Sequence, residues 1–302
     1  MMSQSLSVTP PSRLRTWIHA ARPPTLPAAV VPVLVGTAAG VVAAPFKPLP
    51  FLAALVASLL IQIGTNFAND LFDFHKGADT DARMGPVRVT QSGLISPEQV
   101  KRATYLTFGA ATLVGLYLVF AGGWPILVIG LLSIIFGVAY TGGPWPLGYH
   151  GLGDVAVFIF FGVIAVTGSA YLQNGSFGGL ALAASVPVGL LVTNILVINN
   201  LRDVPTDRVA GKRTLAVRIG EQATRWQYLL FTAGAYAVPL LLWFSDASSA
   251  WVLLSWLSLP LAIPLVRGVM GRLAGRALNP VLKRTGQLHL VFGLLFTIGL
   301  LL

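Results

Sequence analysis

Hydrophobic residues run along this chain in long continuous stretches separated by short polar segments, and they do not alternate every second position. A bilayer-spanning helix needs about 20 apolar residues, whereas a transmembrane β-barrel is built from strands of alternating hydrophobicity. The pattern therefore predicts an all-α fold, a polytopic membrane helical bundle with nine transmembrane helices. The predicted spans are 26–44, 50–68, 103–121, 125–140, 154–172, 177–198, 226–244, 250–266 and 287–302.

The polar segments between these stretches carry charge very unevenly. If the N-terminus lies inside, 19 of the 20 Lys and Arg residues fall on the inner side, with Lys47 as the exception. Basic residues concentrate on the cytoplasmic side of membrane proteins, so we expect a multi-pass protein of the plasma (inner) membrane with a cytoplasmic N-terminus and an outer C-terminus. Only Asp246 among the acids falls outside. The positive-inside rule does not predict that bias, which indicates that the inner face needs carboxylates.

Composition agrees with this architecture and excludes several kinds of chemistry. Only 10% of the 302 residues are charged, against roughly a quarter in soluble domains, and the absence of cysteine excludes disulfides and thiolate sites. The net charge of +10 could attract nucleic acid. The basic residues, however, lie where membrane topology predicts them, so no nucleic-acid partner is expected. We expect a cytoplasmic segment 1–25 and one transmembrane domain 26–302, with cytoplasmic loops 69–102 and 199–225.

A polar stripe closes the second predicted span. Asn66, Asn69 and Asp73 follow i, i+3, i+7 spacing and so share one face of a helix that is otherwise apolar. Gly77 is expected to end this helix and to let Asp79 fold back towards the stripe. A solvated helix end followed by an acidic loop is the alternative interpretation.

A second stripe at the end of the sixth span makes that alternative weaker. Asn199, Asp203 and Asp207 are spaced i, i+4, i+8, although Pro205 predicts that the helix ends near Asp203 and leaves Asp207 in a loop. Carboxylate and amide oxygens suit Mg²⁺ better than zinc, which prefers Cys and His ligands. The four histidines are scattered singly, and magnesium is therefore the expected metal.

Basic residues accompany both stripes, and they change what the carboxylates could bind. Carboxylates that hold magnesium beside Lys and Arg form a site for a polyphosphate. No Gly-rich loop ending in Lys-Ser/Thr is present, so a nucleotide is disfavoured and a diphosphate carried on a lipid is favoured. The cations concerned are Lys76, Arg83, Arg88, Arg202, Arg208, Lys212 and Arg213.

With these motifs in this order, the sequence resembles the UbiA superfamily of intramembrane aromatic prenyltransferases. Within that superfamily it is most similar to the branch that prenylates 1,4-dihydroxy-2-naphthoate. Many other relatives carry an Asp four residues after the position of Asp73, whereas here, as in that branch, this position is Gly77 and the next acid is Asp79. The resemblance covers residues 21 to about 220. It is carried by Ala21-Arg22-Pro-Pro-Thr-Leu-Pro27, Asn69-Asp-Leu-Phe-Asp73, Gly85-Pro-Val-Arg88-Val-Thr-Gln91-Ser-Gly93, Tyr140-Thr-Gly-Gly-Pro144, Gly151-Leu-Gly-Asp154, Asn199-Asn-Leu-Arg202-Asp203 and Gly211-Lys-Arg-Thr-Leu-Ala216.

The resemblance implies a ligand set and a group of substrate-binding residues. Two Mg²⁺ ions bound to prenyl diphosphate would be held by Asn69, Asp73, Asp79, Asp203 and Asp207. Gln91 belongs to a loop that covers the site in relatives, and His150 lies where relatives often carry Lys or Arg. The expected substrate-binding residues are Arg22, Asn66, Gln91, Asn200, Arg202, Lys212 and Arg213.

The reaction implied is transfer of a polyprenyl or phytyl group to dihydroxynaphthoate, with loss of diphosphate and carbon dioxide. Asp73, Asp203 and Tyr140 are the expected catalytic residues, Tyr140 because an aromatic face stabilises an allylic cation. Phe72 and Phe74 are weaker candidates for that role. Alternatives are another acceptor (4-hydroxybenzoate, homogentisate or a tetrapyrrole), a secondary transporter, which would place charges at mid-membrane, and a non-catalytic scaffold.

Overall fold

The computed structural model describes residues 12–77, 84–86 and 88–302 of the chain, and within these ranges it is a bundle of helices. The predicted all-α class is confirmed. A π-helical stretch, Phe158–Ile164, joins α6 to α7, and a 3₁₀ helix, Ala250–Ser258, leads into α10. The α-helices are α1 Arg13–Ala21, α2 Pro27–Val41, α3 Pro48–His75, α4 Pro97–Gly122, α5 Trp124–Ala139, α6 Gly153–Val157, α7 Ala165–Asn174, α8 Gly179–Val209, α9 Leu215–Phe244, α10 Leu259–Met270 and α11 Asn279–Leu301.

The helices identify a multi-pass membrane protein, but the predicted count of nine spans is too high. Seven helical segments in the described chain are long and apolar enough to cross a bilayer, or eight if the pair formed by α1 and α2, bent by 50°, is one span. The stretch predicted at 125–140 forms α5, which has 16 residues. At 1.5 Å per residue it is about 24 Å long, which is short of a hydrocarbon core of about 30 Å.

Helix α8 is the central element of the bundle. In its most apolar stretch 67% of the residues are buried, compared with 11% in α4, which faces lipid. It packs with α11 around Val188, Leu191, Phe292 and Phe296, which are all essentially inaccessible. The first Asp motif ends α3 and the second lies near the end of α8, so the most buried helix positions the second motif.

The prediction that α8 ends near Asp203 is wrong. The helix runs on to Val209 and contains Pro205, and the Thr206 hydroxyl donates to the Asp203 carbonyl at 3.0 Å. A proline inside a helix removes one hydrogen bond and crowds the carbonyl four residues before it. Burial of Leu201 and Val204 in the preceding turn offsets this cost. Asp207 therefore lies one helical turn after Asp203 on the same face.

Both ends of the bundle can be assigned from contacts. Gly77 ends α3 with a φ of +62°, as predicted, and Lys76 beside it donates to the Thr141 carbonyl at 2.6 Å. The loops after α3, α5 and α8 thus meet at one end, as the charge distribution predicts. Pro24 lies at this same end beside Gly286 in α11, whereas Leu301 closes α11 at the opposite end.

Small residues allow the helices to approach closely, as is common in membrane bundles. A Cβ added to Gly40 in α2 would lie 2.7 Å from the Ala170 carbonyl oxygen of α7, and one added to Gly162 would lie 2.6 Å from the Gly189 Cα. The same holds for Gly36, and Gly168 meets the Ile129 side chain. These glycines serve helix packing.

Replacement of Gly36 by Ala is expected to destabilise the fold. The new Cβ would overlap the Val166 carbonyl oxygen and lie 2.8 Å from the Ser169 Cβ, and overpacking of this kind costs about 1–3 kcal/mol. We expect a lower melting temperature in detergent, followed by differential scanning fluorimetry. Gly115→Ala in α4 is the matched control because no atom lies within 4 Å of its added Cβ; equal melting temperatures for the two variants would contradict the packing argument.

Candidate active site

Asp73, in the last turn of α3, is the centre of a buried cluster of charged and polar groups. The residue is buried, with 3% of its surface exposed. Arg88 Nη2 lies 3.2 Å from its Oδ2, and Lys212 Nζ lies 3.1 Å from its Oδ1. The Tyr149 hydroxyl also donates to Oδ1, at 2.7 Å. Three separate loops thus deliver donors to one carboxylate. A buried charge is tolerated only when it is paired in this way.

Tyr149 arranges the cations around Asp73. The Nζ atoms of Lys76 and Lys212 each lie 4.6 Å from the centre of its ring, which is within the range of cation–π attraction. Burial lowers the pKa of Lys76, and Asp73 opposes that effect. Lys76, Lys212 and Arg88 thus surround the Asp73 carboxylate, and a group of cations of this kind attracts an anionic ligand.

Asn69 and Asn66 lie one and two turns before Asp73 and have different surroundings. The Thr141 hydroxyl donates to Asn69 Oδ1, which places Asn69 beside the loop after α5. Asn66 is buried, and its Nδ2 donates at 3.0 Å both to the Ala21 carbonyl and to Thr25 Oγ1. Asn66 therefore ties the turn at residues 21–25 to α3.

Arg22 belongs to this same turn. It adopts a left-handed backbone conformation with φ of 54°, and its Nη2 donates to the Asn66 carbonyl at 3.4 Å. The structure thus places the predicted residues Arg22 and Asn66 together, next to the first Asp motif.

The second motif is built around a buried ion pair. Arg202 is fully buried, and its Nε and Nη2 donate to the two oxygens of Asp203 at 2.8 and 2.5 Å. Nη2 also donates to Asn199 Oδ1 at 2.8 Å. All three guanidinium nitrogens of Arg202 donate to protein atoms, so this side chain orients Asp203. Asn200 is buried beside it.

Asn279, the first residue of α11, links the second motif to the loop after the first. Its Oδ1 accepts from Arg202 Nη1 at 3.0 Å, and its Nδ2 donates to the Met84 carbonyl at 3.0 Å. Gly85 next to Met84 is needed for this approach, because an added Cβ would lie 2.8 Å from Arg202 Nη2. Sequence spacing gave no signal for Asn279, which is 77 positions from its partner.

Asn279→Ala is expected to weaken the link between the two motifs. It leaves a buried Arg202 nitrogen and the Met84 carbonyl without partners, which costs about 1–3 kcal/mol. We expect a lower melting temperature in detergent, measured by differential scanning fluorimetry. Asn279→Asp keeps the acceptor for Arg202 and loses only the donor to Met84, so it should recover most of the stability; equal losses in both variants would show that Arg202 does not depend on this contact.

Tyr140 lies where a narrow apolar cavity approaches the polar end of the bundle. Phe136 precedes it by one turn in α5, and the rings of Phe136 and Phe160 are 4.4 Å apart. The cavity passes between α2, α3, α5 and the π-helical stretch, with Gln62 and Thr65 as its polar residues nearest the α3 motif. It can hold an apolar chain with an aromatic surface at the end that faces the charged cluster.

Several predicted residues lie apart from this cluster or outside the described chain. Asp79 lies outside the described residues. Gln91 is exposed in the turn that follows Arg88, and Arg213 is exposed after α8. Arg88 was predicted among the cations of a polyphosphate site, and the structure places it on Asp73. Tyr149 was not predicted as a site residue, although it lies between two segments that carry the family resemblance. Asp207 is half-buried on α8.

The donor chemistry of the two motifs fits a hard divalent cation. Each motif presents oxygen ligands one helical turn apart, Asn69 with Asp73 on α3 and Asp203 with Asp207 on α8, and such ligands suit Mg²⁺. Within residues 12–77, 84–86 and 88–302 no three acidic or histidine side chains converge as a metal site would require. In this arrangement Arg88 and Lys212 supply the positive charge beside Asp73.

Comparison with known proteins identifies the family. The sequence matches the UbiA prenyltransferase family over residues 29–300. The chain belongs to the UbiA prenyltransferase family. This UbiA prenyltransferase is 39% identical to 1,4-dihydroxy-2-naphthoate octaprenyltransferase of Escherichia coli (strain K12) over 96% of both chains. It is 39% identical to the Mycobacterium tuberculosis protein of the same name, over 92% of this chain and 94% of that protein.

Solved structures show the same fold. A UbiA homolog from Aeropyrum pernix K1 in its apo form has a TM-score of 0.69 at 16% identity, with 93% of this chain and 98% of the other covered. A UbiA homolog from Archaeoglobus fulgidus bound to DMAPP and Mg²⁺ has a TM-score of 0.68 at 13% identity, with 95% and 99% covered. The predicted family is confirmed, and the transporter alternative loses its support.

Proposed function

We propose that this protein transfers a prenyl group from a polyprenyl or phytyl diphosphate to 1,4-dihydroxy-2-naphthoate, the prenylation step of menaquinone or phylloquinone synthesis. The observation that carries the proposal is the near full-length likeness to two dihydroxynaphthoate octaprenyltransferases. A 2-carboxy-1,4-naphthoquinone phytyltransferase of Synechocystis, 29% identical over 86% of this chain, supports the naphthoate acceptor and leaves the prenyl chain open. Prenylation of 4-hydroxybenzoate or homogentisate is an alternative outcome of the test.

The cations around Asp73 suit the diphosphate end of the prenyl substrate. Lys76, Arg88 and Lys212 lie around one buried carboxylate, and charge-assisted hydrogen bonds to phosphate oxygens are short and strong. Asn69, Asp73, Asp203 and Asp207 would hold Mg²⁺, with Asp79 as a further candidate. When bound, the metal would neutralise charge on the leaving diphosphate. Arg202 positions Asp203 and is not assigned to the substrate itself.

The apolar cavity suits the prenyl chain and places Tyr140 at its polar end. The allylic C–O bond breaks, diphosphate leaves with the bonding electrons, and the Tyr140 ring stabilises the resulting cation by roughly 2 kcal/mol when water is excluded. The ring carbon that bears the carboxylate then attacks this cation. Carbon dioxide departs and leaves its bonding pair on the ring, so charge and atoms balance with prenylated naphthoquinol and diphosphate as products.

The orientation follows from charge. The end of the bundle with the Asp73 cluster also carries nearly all basic residues, and such residues face the cytoplasm. We therefore place the active site and N-terminus at the cytoplasmic face of the plasma membrane and the end of α11 at the outer face.

A direct assay tests the proposal. Purified protein in detergent receives a prenyl diphosphate, Mg²⁺ and an equimolar mixture of dihydroxynaphthoate, 4-hydroxybenzoate and homogentisate, and products are followed by mass spectrometry. We expect prenylated naphthoquinol and stoichiometric carbon dioxide, both abolished by EDTA. Prenylation of a different acid from the mixture would overturn the acceptor, and full turnover in EDTA would overturn the metal.

A further inference from the structure

A second cavity, separate from the apolar one, opens at the polar end of the bundle. It is a cleft of about 440 Å³, within the usual range for small-molecule sites. Lys76 and Tyr149 form one wall and also belong to the Asp73 cluster, so the cleft adjoins the place assigned to the diphosphate. The remaining walls are formed by the loop between α5 and α6, the loop between α8 and α9, and the first turn of α9. The lining residues are Gly143, Pro144, Pro146, His150, Gly211, Arg213 and Arg218.

The far wall of this cleft carries two guanidinium groups. In the part of the chain that the structure describes, Arg213 and Arg218 form no ion pair with a carboxylate. The Arg218 Nε donates to the Arg213 carbonyl at 3.2 Å, and its side chain lies against Gly151, whose added Cβ would be 2.9 Å from that nitrogen. Arg218 is therefore fixed at Nε, and both of its Nη atoms are available to an anion.

The near part of the cleft is flat and aromatic. His150 lines the cleft together with Pro144 and Pro146. Its ring stacks on that of Trp145, which is not part of the lining, at 4.5 Å with an angle of 26°. His150 Nδ1 lies 2.9 Å from the Pro146 carbonyl. Since a carbonyl oxygen only accepts, Nδ1 carries the proton, and Nε2 is left for a ligand. Flat apolar walls with a cation at one end match a planar aromatic carboxylate.

The position of the cleft also fits the acceptor. Its loop packs directly on Tyr140, because an added Cβ on Gly148 would lie 3.1 Å from the Tyr140 carbonyl oxygen and one on Gly153 would lie 3.0 Å from its hydroxyl. Tyr140 also lines the apolar cavity. The loop that lines the polar cleft therefore packs on a residue that lines the apolar cavity.

We propose that this cleft binds the naphthoate acceptor, with its carboxylate on Arg218 and its rings beside Tyr149 and His150. Arg213, taken from the sequence as a diphosphate ligand, contributes to the same anion site. The inference rests on the proposed function and adds to it the acceptor site and a specificity residue, Arg218.

Binding of two probes that differ only in the carboxylate tests this assignment. We expect Arg218→Gln to weaken binding of 1-hydroxy-2-naphthoate about tenfold or more, the loss of one charge-assisted hydrogen bond, and to leave binding of 1-naphthol unchanged. Both are measured by isothermal titration calorimetry on the full chain in detergent. Lys101→Gln is the matched control, because it removes one exposed positive charge at the start of α4 and should change neither affinity. Arg213→Gln serves as a second variant in the cleft.

Kinetics separate this inference from the proposed function. In turnover assays Arg218→Gln should raise the KM for dihydroxynaphthoate and leave the KM for prenyl diphosphate within twofold of wild type. A larger rise in the KM for prenyl diphosphate than in that for dihydroxynaphthoate would assign the cleft to diphosphate and overturn the inference. Weaker binding of inorganic pyrophosphate with unchanged binding of the naphthoate would do the same. If the wild-type protein binds the naphthoate through Arg218 but does not prenylate it, the proposed function is overturned and the inference about the cleft is not.

Discussion

Asp73→Asn is expected to lower kcat/KM by about a thousandfold, which corresponds to ~4 kcal/mol of transition-state stabilisation. The change neutralises the carboxylate that both Arg88 and Lys212 contact and removes a carboxylate oxygen from the proposed metal site, while it keeps the size of the side chain. Tyr149 can still donate to the amide oxygen, so the loop after α5 should stay in place. The measurement is steady-state prenylation of dihydroxynaphthoate.

Two controls accompany this variant. Glu98→Gln removes a carboxylate that pairs with Arg102 on the exposed start of α4, where surface pairs contribute little, and it should leave activity and stability unchanged. Circular dichroism and elution in detergent should show that Asp73→Asn is folded. Activity of Asp73→Asn within tenfold of wild type would remove Asp73 from the chemistry.

The largest expected effect on stability belongs to Arg202→Leu. Arg202 is fully buried and binds both oxygens of Asp203, so its loss leaves a buried carboxylate without a cation, and breaking one half of such a pair costs about 3–5 kcal/mol. We expect a markedly lower melting temperature in detergent and no activity. Arg208→Leu, at the exposed end of the same helix, is the control and should have the melting temperature of the wild type.

A double variant separates the structural role from the catalytic one. Because apolar residues can replace a buried ion pair with little loss of stability, Arg202→Leu with Asp203→Leu should recover much of the melting temperature and still be inactive. Full activity in the double variant would exclude Asp203 from the site. An unchanged melting temperature in the single Arg202→Leu variant would contradict the buried pair.

Helical periodicity located both Asp motifs because it reports which residues of one helix share a face. Asn69 with Asp73, and Asp203 with Asp207, are neighbours on a single helix, and continuous apolar runs fixed the helices that carry them. Counting apolar runs overestimated the number of spans, since a run such as α5 is apolar but short. The geometry of Pro205 predicted a helix end near Asp203, where burial of the preceding turn maintains the helix.

Partners from different helices could not be predicted in this way. Tyr149 and Lys212 reach Asp73 from 76 and 139 positions away, so their contacts depend on how the bundle packs. Arg202 shows the same limit in another form. Its charge and position beside Asp203 suggested a ligand for substrate, and only the packing of α11 shows that its donors are used within the protein.

An apolar cavity for one substrate and a polar cleft for the other imply that the two apparent KM values depend on different measures of concentration. A prenyl chain that enters through the apolar cavity partitions into the lipid or micelle phase, so its effective concentration is a mole fraction in that phase. An acceptor that enters from water is governed by its molar concentration. Adding inert detergent at fixed total substrate should therefore raise the apparent KM for the prenyl donor in proportion to dilution of the micelle phase, and leave that for the naphthoate constant.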